Sequence, residues 1–216
     1  MIDFDCDAVL FDLDGTLVDS TASVVRAWQA TAAKLDIPFS AFEPYIHGIP
    51  GEKVLASVAP QLPPEQIHEL SQWMLASEAA DTAGIVPQPG AVDALAGLPP
   101  DRWAIVTSGD TRLATSRIGA AGLPMPAVLV SADDVRIGKP DPEAYLAAAA
   151  RLGYAPGRCL VVEDAPAGVR SGQAAGMPVL GVLTTYPHLD ATVTVPDLSA
   201  VAVHVDEDGV RVTGRE

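Results

Sequence analysis

Five short apolar runs recur along the chain with stretches of helical character between them: residues 8–13 (AVLFDL), 103–107 (WAIVT), 127–130, 159–162 and 178–183. Runs of four to six apolar residues read as strands buried on both faces, and their alternation with helices predicts an α/β fold around a parallel sheet. Helix signals fall between them. Asp141-Pro142 suits a cap and first helical position, the following helix runs to the stop at Gly153, and another ends at Gly122.

Residues 19–87 interrupt this alternation. Residues 23–35 place Val24, Trp28 and Leu35 on one helical face, and residues 65–80 follow Pro63-Pro64 with Ile67, Leu70 and Met74 at helical spacing. No strand is expected there. The simplest account is an all-helical insertion after the first strand, with Pro87 and Pro89-Gly90 marking the return. The expected division is therefore residues 1–18 and 88–216 as the main domain and 19–87 as the helical insertion. In the tail, residues 193–195 suit a short strand. Residues 201–205 and 210–212, separated by Asp208-Gly209, suit a hairpin expected to cover a sheet edge.

Charge narrows the partners. The 216 residues carry 13 Lys and Arg against 28 Asp and Glu, a net charge of −15. Only Lys34, Lys53 and Lys139 are lysines, so no polybasic stripe for nucleic acid can form. A hydrophobic content of 49% suffices for a core and excludes an acidic disordered chain. No apolar run approaches the roughly 18 residues of a membrane span. The N-terminus carries acids where a secretory signal carries bases. Cys6 and Cys159 form neither a CxxC nor a zinc spacing and read as small buried hydrophobes. The expectation is a cytoplasmic protein, more readily monomeric than oligomeric, with neither nucleic acid nor membrane as partner.

Chemistry concentrates at strand ends. Asp12-Leu13-Asp14-Gly15-Thr16 follows an unbroken apolar strand, so its carboxylates leave the sheet at the edge where parallel sheets bind ligands. A calcium loop counted from Asp12 fails, with Leu17 at the sixth position and Ser23 at the twelfth. Glu163-Asp164 ends another strand. If the two strands are neighbours, Asp12, Asp14 and Asp164 converge and repel unless a cation lies among them. An all-oxygen donor set points to Mg²⁺. Thr107-Ser108-Gly109 brings hydroxyls and N–H groups to the same edge, and Lys139, held in GKPDP, offers a fixed positive charge for phosphate.

The ordered set DLDGTLVDS, IVTS, GKPDPE and VVEDAPAG resembles the four motifs of the haloacid dehalogenase-like hydrolase superfamily. The resemblance covers residues 6–198 and implies a Rossmann-like parallel-sheet core with a small all-helical C1 cap. VTSGDTR, ADDVRIGKPDPEAY and VVEDAPAGVRSGQAAG look most like its sugar-phosphate and glycerol-phosphate phosphatases, among them the 2-deoxyglucose-6-phosphate enzymes. That resemblance implies Asp12 as nucleophile forming an aspartyl-phosphate, and Asp14 as the acid and base serving leaving group and water. It also implies Mg²⁺ held by Asp12, the Asp14 carbonyl and Asp164, with Glu163 bound directly or through a water. Thr107, the Ser108 N–H and Lys139 would hold the phosphoryl oxygens.

Asp14 sets aside the dehalogenases and phosphonate-cleaving members, which lack that second acid. A sugar phosphomutase of the β-phosphoglucomutase type shares every core motif and is the nearest alternative; Thr16 leans toward a phosphatase. A non-catalytic sugar-phosphate-binding regulator is the distant one, and it usually lacks one of the two aspartates. In the cap, His47 and Lys53 are candidates for substrate contact, each weighed against a packed or surface role. Trp28, Trp73 and Met74 read as cap core, Glu78 as part of a solvated face, and His68, His188 and His204 show no evident partner.

Overall fold

A computed structural model describes residues 2–46, 51–207 and 209–215. The chain begins with β1 (Asp3–Cys6) and passes almost directly into β2 (Ala8–Phe11). The short strand β3 (Val18–Asp19) leads into helices α1 (Thr21–Leu35), α2 (Gly51–Val58) and α3 (Pro64–Ala80). β4 (Val86–Pro87) returns antiparallel to β3. The alternation then resumes with α4 (Ala91–Ala96), β5 (Trp103–Val106), α5 (Thr111–Ala120), β6 (Leu129–Val130) and α6 (Glu143–Leu152). It continues through β7 (Cys159–Glu163), α7 (Pro166–Ala174) and β8 (Val179–Val182). β9 (Val193–Val195), β10 (Val201–Val205) and β11 (Val210–Gly214) close it.

Six strands form one parallel sheet in the order β6-β5-β2-β7-β8-β9. The chain winds outward from β2 through β5 to β6, then crosses to β7 and winds the other way. β2 and β7 therefore flank the switch point, the place where an open α/β sheet leaves a crevice at its carboxyl edge. Side chains alternate between two faces. Val9, Phe11, Ile105 and Val162 pack with Ala94, Leu95 and Ile118; Ala8, Leu10, Val106 and Val161 pack with Tyr145, Ala148 and Val169. Burial on both faces explains why these strands read as unbroken apolar runs.

The strands at residues 127–130 and 178–183 are shorter than expected, and the helix after Pro142 begins at Glu143, with Asp141 accepting from the Glu143 N–H at 2.9 Å. Residues 201–214 form the expected hairpin, but it recruits β1 as a third strand. Val201, Val210 and Val212 join the cluster of Leu95 and Leu98, so this small sheet helps cover a face of the main sheet. The main sheet's edges are β6 and β9. The helical insertion holds its own apolar cluster, in which Trp28, Phe42, Leu55 and Met74 meet, and the β3–β4 ribbon joins its entry to its exit. That ribbon was not expected: two-residue strands carry no readable period.

Candidate active site

The parallel pairing of β2 with β7 places the residues that follow each strand side by side. The Asp12 N–H donates to Val162 O at 2.9 Å, extending the ladder one step past β2. Glu163 ends β7 and Asp164 follows it. Carboxylate oxygens of Asp12, Glu163 and Asp164 lie within 4.8 Å of one another, and all three residues are buried. Lys139 enters from the loop after β6. Its Nζ donates to Asp12 Oδ1 at 2.6 Å, Glu163 Oε1 at 2.7 Å and the Val106 carbonyl at 2.9 Å. Tyr145 on α6 donates its hydroxyl to Glu163 Oε1 at 2.9 Å, while Glu163 Oε2 accepts the N–H groups of Asp164 and Ala165. Both Glu163 oxygens are thus engaged by protein donors.

Two glycines make this approach possible. Gly15 adopts φ +84°, and a Cβ there would stand 2.0 Å from Asp164 Oδ2. A Cβ on Gly168, in the first turn of α7, would stand 1.6 Å from Glu163 Oε1.

Asp14 turns away from this cluster. Its Oδ1 accepts from Ser20 Oγ at 2.7 Å and its Oδ2 lies 2.7 Å from Arg117 Nη1. The other terminal nitrogen of Arg117 donates to Glu78 Oε2, which reaches down from α3. Glu78 and Arg117 are buried, at 6% and 4% exposure. Glu78 is therefore not on a solvated face, because an arginine from α5 meets it. Arg117 belongs to none of the sequence motifs, although it shares the buried stripe of α5 with Leu113, Ala114 and Ile118, an unusual place for a guanidinium.

A cleft of about 260 Å³ separates the sheet edge from the helical insertion. Asp12, Asp14, Thr107, Ser108, Lys139 and Asp164 line it from below. Trp28, Met74 and Glu78 line it from above, so Trp28 and Met74 serve both the helical cluster and the cleft wall. Thr107 is buried and accepts the Gly109 N–H on its hydroxyl at 3.1 Å, whereas Ser108 is exposed. Lys53 is exposed on α2 and does not line the cleft. His47 lies outside the described residues. His68 has a partner after all, with Nδ1 2.8 Å from Glu52 Oε1 on the exposed surface.

Charge is unbalanced at the bottom of the cleft. Burial pushes the Asp12 carboxyl well above the usual range against the pull of Lys139, and Glu163 and Asp164 add to the push. Burial and the Glu163 charge raise Asp164 to about 7. Burial works against the Lys139 charge, but Asp12 and Glu163 hold its ammonium above the ordinary lysine value. Burial likewise raises Glu78 despite Arg117. Three carboxylates face one lysine, and with Glu163 committed to protein donors it is the oxygens of Asp12 and Asp164 that fit a hard divalent cation.

Sheet order, switch-point acids and a helical insertion above them define an α/β core with a candidate active site between the sheet edge and the insertion. The haloacid dehalogenase-like hydrolase family model matches residues 6–176, and the chain belongs to this family. The hexitol phosphatase A of Escherichia coli (strain K12) is 43% identical, covering 82% of this chain and 83% of that protein. The glycerol-1-phosphate phosphohydrolase 2 of Saccharomyces cerevisiae is 32% identical, covering 83% of this chain and 75% of that protein. A solved hydrolase from Pseudomonas syringae superposes with a TM-score of 0.76 at 30% identity, over 89% of this chain and 94% of that one.

Proposed function

We propose that the chain is a Mg²⁺-dependent phosphomonoester hydrolase of small sugar or polyol phosphates, working through an aspartyl-phosphate. Residues 1–18 and 88–216 form its catalytic core and residues 19–87 its cap. The observation that carries the reading is the meeting of Asp12, Asp164, Glu163 and Lys139 at the carboxyl ends of two adjacent parallel strands. The phosphatase names of the two relatives above support the reaction class.

Asp12 is the nucleophile. Its carboxylate oxygen bonds to phosphorus as the bond to the leaving oxygen breaks, and Asp14 gives that oxygen its proton. Asp14 then takes a proton from water, which attacks phosphorus, releases phosphate and returns Asp12 as a carboxylate. Mg²⁺ would be held by Asp12, the Asp14 carbonyl and Asp164, and when bound it supplies charge that lets a phosphate dianion approach an anionic nucleophile. Thr107, the Ser108 N–H and Lys139 hold phosphoryl oxygens, and Glu163 keeps Lys139 in place.

Among the described residues that line the cleft, the lysine and arginine are Lys139 and Arg117, and both are already paired with carboxylates. A second phosphate finds no spare cation among them, which favours monoesters of neutral polyols over a bisphosphate-primed mutase. The intact Asp12 and Asp14 weigh against a regulator without catalysis. The protein is read as a cytoplasmic monomer, consistent with its two free thiols.

The test is phosphate release with Mg²⁺ across hexitol, hexose, glycerol and glycolate monoesters. Asp12→Asn and EDTA serve as controls, with β-glucose 1-phosphate plus trace bisphosphate assayed for isomerisation. Release that Asp12→Asn and EDTA both abolish is expected. Isomerisation without net phosphate makes the chain a mutase, and silence throughout leaves the regulator.

A further inference from the structure

We infer that Arg117 is the positioning residue for Asp14, and that Glu78 of the cap helix α3 holds Arg117 in place for this task. The inference rests on the phosphatase reading. Asp14's carboxylate is not part of the cluster formed by Asp12, Glu163 and Asp164. Ser20 holds one of its oxygens and Arg117 the other, both at 2.7 Å. In an in-line displacement the leaving oxygen departs on the side opposite the nucleophile, away from Asp12 and toward the cap. A proton donor for that oxygen has to stand on the cap side, out of the acidic cluster, and the bond to Arg117 draws Asp14 there.

Among the described residues the guanidinium has few other attachments. Arg117 is 4% exposed, its Nε is buried with no hydrogen-bond partner among the described residues, and its two terminal nitrogens each meet one carboxylate. Planar, forked and permanently charged, it ties those carboxylates at a fixed spacing that a lysine's single ammonium reproduces only in part. One of them, Asp14, belongs to the core loop after β2, and the other, Glu78, to the helical insertion. The orientation of the proton donor therefore depends on the helix that roofs the cleft. This dependence links the cap to the chemical step as well as to substrate enclosure.

The readout is the need for a proton on the leaving group. p-Nitrophenolate departs without one, whereas the alkoxide of glycerol phosphate needs it. Values of kcat/KM report the path through leaving-group departure, so the later hydrolysis of the aspartyl-phosphate does not blur the comparison. For Arg117→Met, kcat/KM on glycerol phosphate is expected to fall about 100-fold, the scale of general-acid contributions, with p-nitrophenyl phosphate affected less than about fivefold. Arg117→Lys recovers part of the difference. Because Arg117→Met leaves Glu78 buried without a partner, the double variant Arg117→Met/Glu78→Met provides the same comparison with both charges removed. Equal losses on the two substrates in the double variant, or no loss on either, overturn the inference while leaving the phosphatase reading intact. A wild-type protein silent on both substrates overturns both.

Discussion

Gly168 has no Cβ because Glu163 occupies its place: an added Cβ would stand 1.6 Å from Glu163 Oε1 and 1.9 Å from its carboxyl carbon. Glu163 is 1% exposed and carries Lys139 and Tyr145 on the same oxygen, so it cannot swing aside without releasing both. Gly168→Ala is expected to destabilise the fold by about 1–3 kcal/mol, the usual cost of overpacking, and to lower activity sharply. Gly119 is the control. It lies in α5 with nothing among the described residues within 4 Å of its added Cβ beyond its own helix backbone and chain neighbours, and Gly119→Ala should stabilise by up to about 1 kcal/mol through helix propensity alone. Thermal melts and phosphate release on the two variants check the contrast, and equal melting temperatures would refute it.

The two cysteines should be inert in the folded protein. Burial, with the neighbouring Cys159, pushes the Cys6 thiol up to about 12, and burial with Asp7 pushes Cys159 up to about 11. An aromatic disulfide reagent at pH 8 is expected to label neither thiol in the native state and both in urea. The sign of the linked stability follows. Above pH 9 the unfolded thiols ionise while the folded ones keep their protons, so stability declines as pH rises from about 9 toward 12. Rapid native labelling that accelerates through pH 8–9, as a free cysteine would, contradicts the burial.

The parts of the fold visible in the sequence share a physical cause. β2, β5, β7 and β8 are buried on both faces and so read as apolar runs, and the acids at the carboxyl ends of β2 and β7 stand out because AVLF and CLVV lead into them. β1 was not visible. Its sequence DFDC alternates acid with apolar, and its partner β11 lies at the far end of the chain, where Asp3 meets Thr213. Nor was the Arg117–Glu78 pair. Arg117 does fall on the apolar stripe of α5, at helical spacing from Leu113 and Ala114, but its partner Glu78 lies 39 residues earlier on α3, and no local spacing records that the two helices meet. Glu163 was legible as an acid at a strand end, but Tyr145 hydrogen-bonded to it was not, since a tyrosine on an alanine-rich helix reads simply as core.

Metal should act on stability as well as on turnover. With the carboxylates of Asp12, Glu163 and Asp164 gathered around one lysine, a bound divalent cation relieves repulsion in the folded state only. At a free concentration of about a hundred times Kd, Mg²⁺ is expected to stabilise the chain by about 2.7 kcal/mol. For a protein of this length that is a rise of several degrees in Tm, reversed by EDTA. Asp164→Asn should lose most of the rise. An identical Tm in EDTA and in Mg²⁺ would remove the cation from the site.

Lys139 provides the sharpest separation of structural and catalytic roles. Its side chain is 6% exposed, and its ammonium is ion-paired to Asp12 at 2.6 Å and Glu163 at 2.7 Å. Removing one partner of a buried ion pair typically costs about 3–5 kcal/mol, because the charges left behind have neither water nor counter-ion. In Lys139→Met those charges are Asp12, Glu163 and Asp164 together. A divalent cation then becomes the sole local compensation, so the Mg²⁺-induced rise in Tm is expected to be larger in Lys139→Met than in the wild type. Turnover moves the other way. On the phosphate-positioning role proposed for Lys139, kcat should fall by about 10²–10³, the range seen when one donor to a developing anion is deleted. Saturating Mg²⁺ should restore stability in Lys139→Met without restoring kcat. Recovery of both would mean that Lys139 serves only to balance charge.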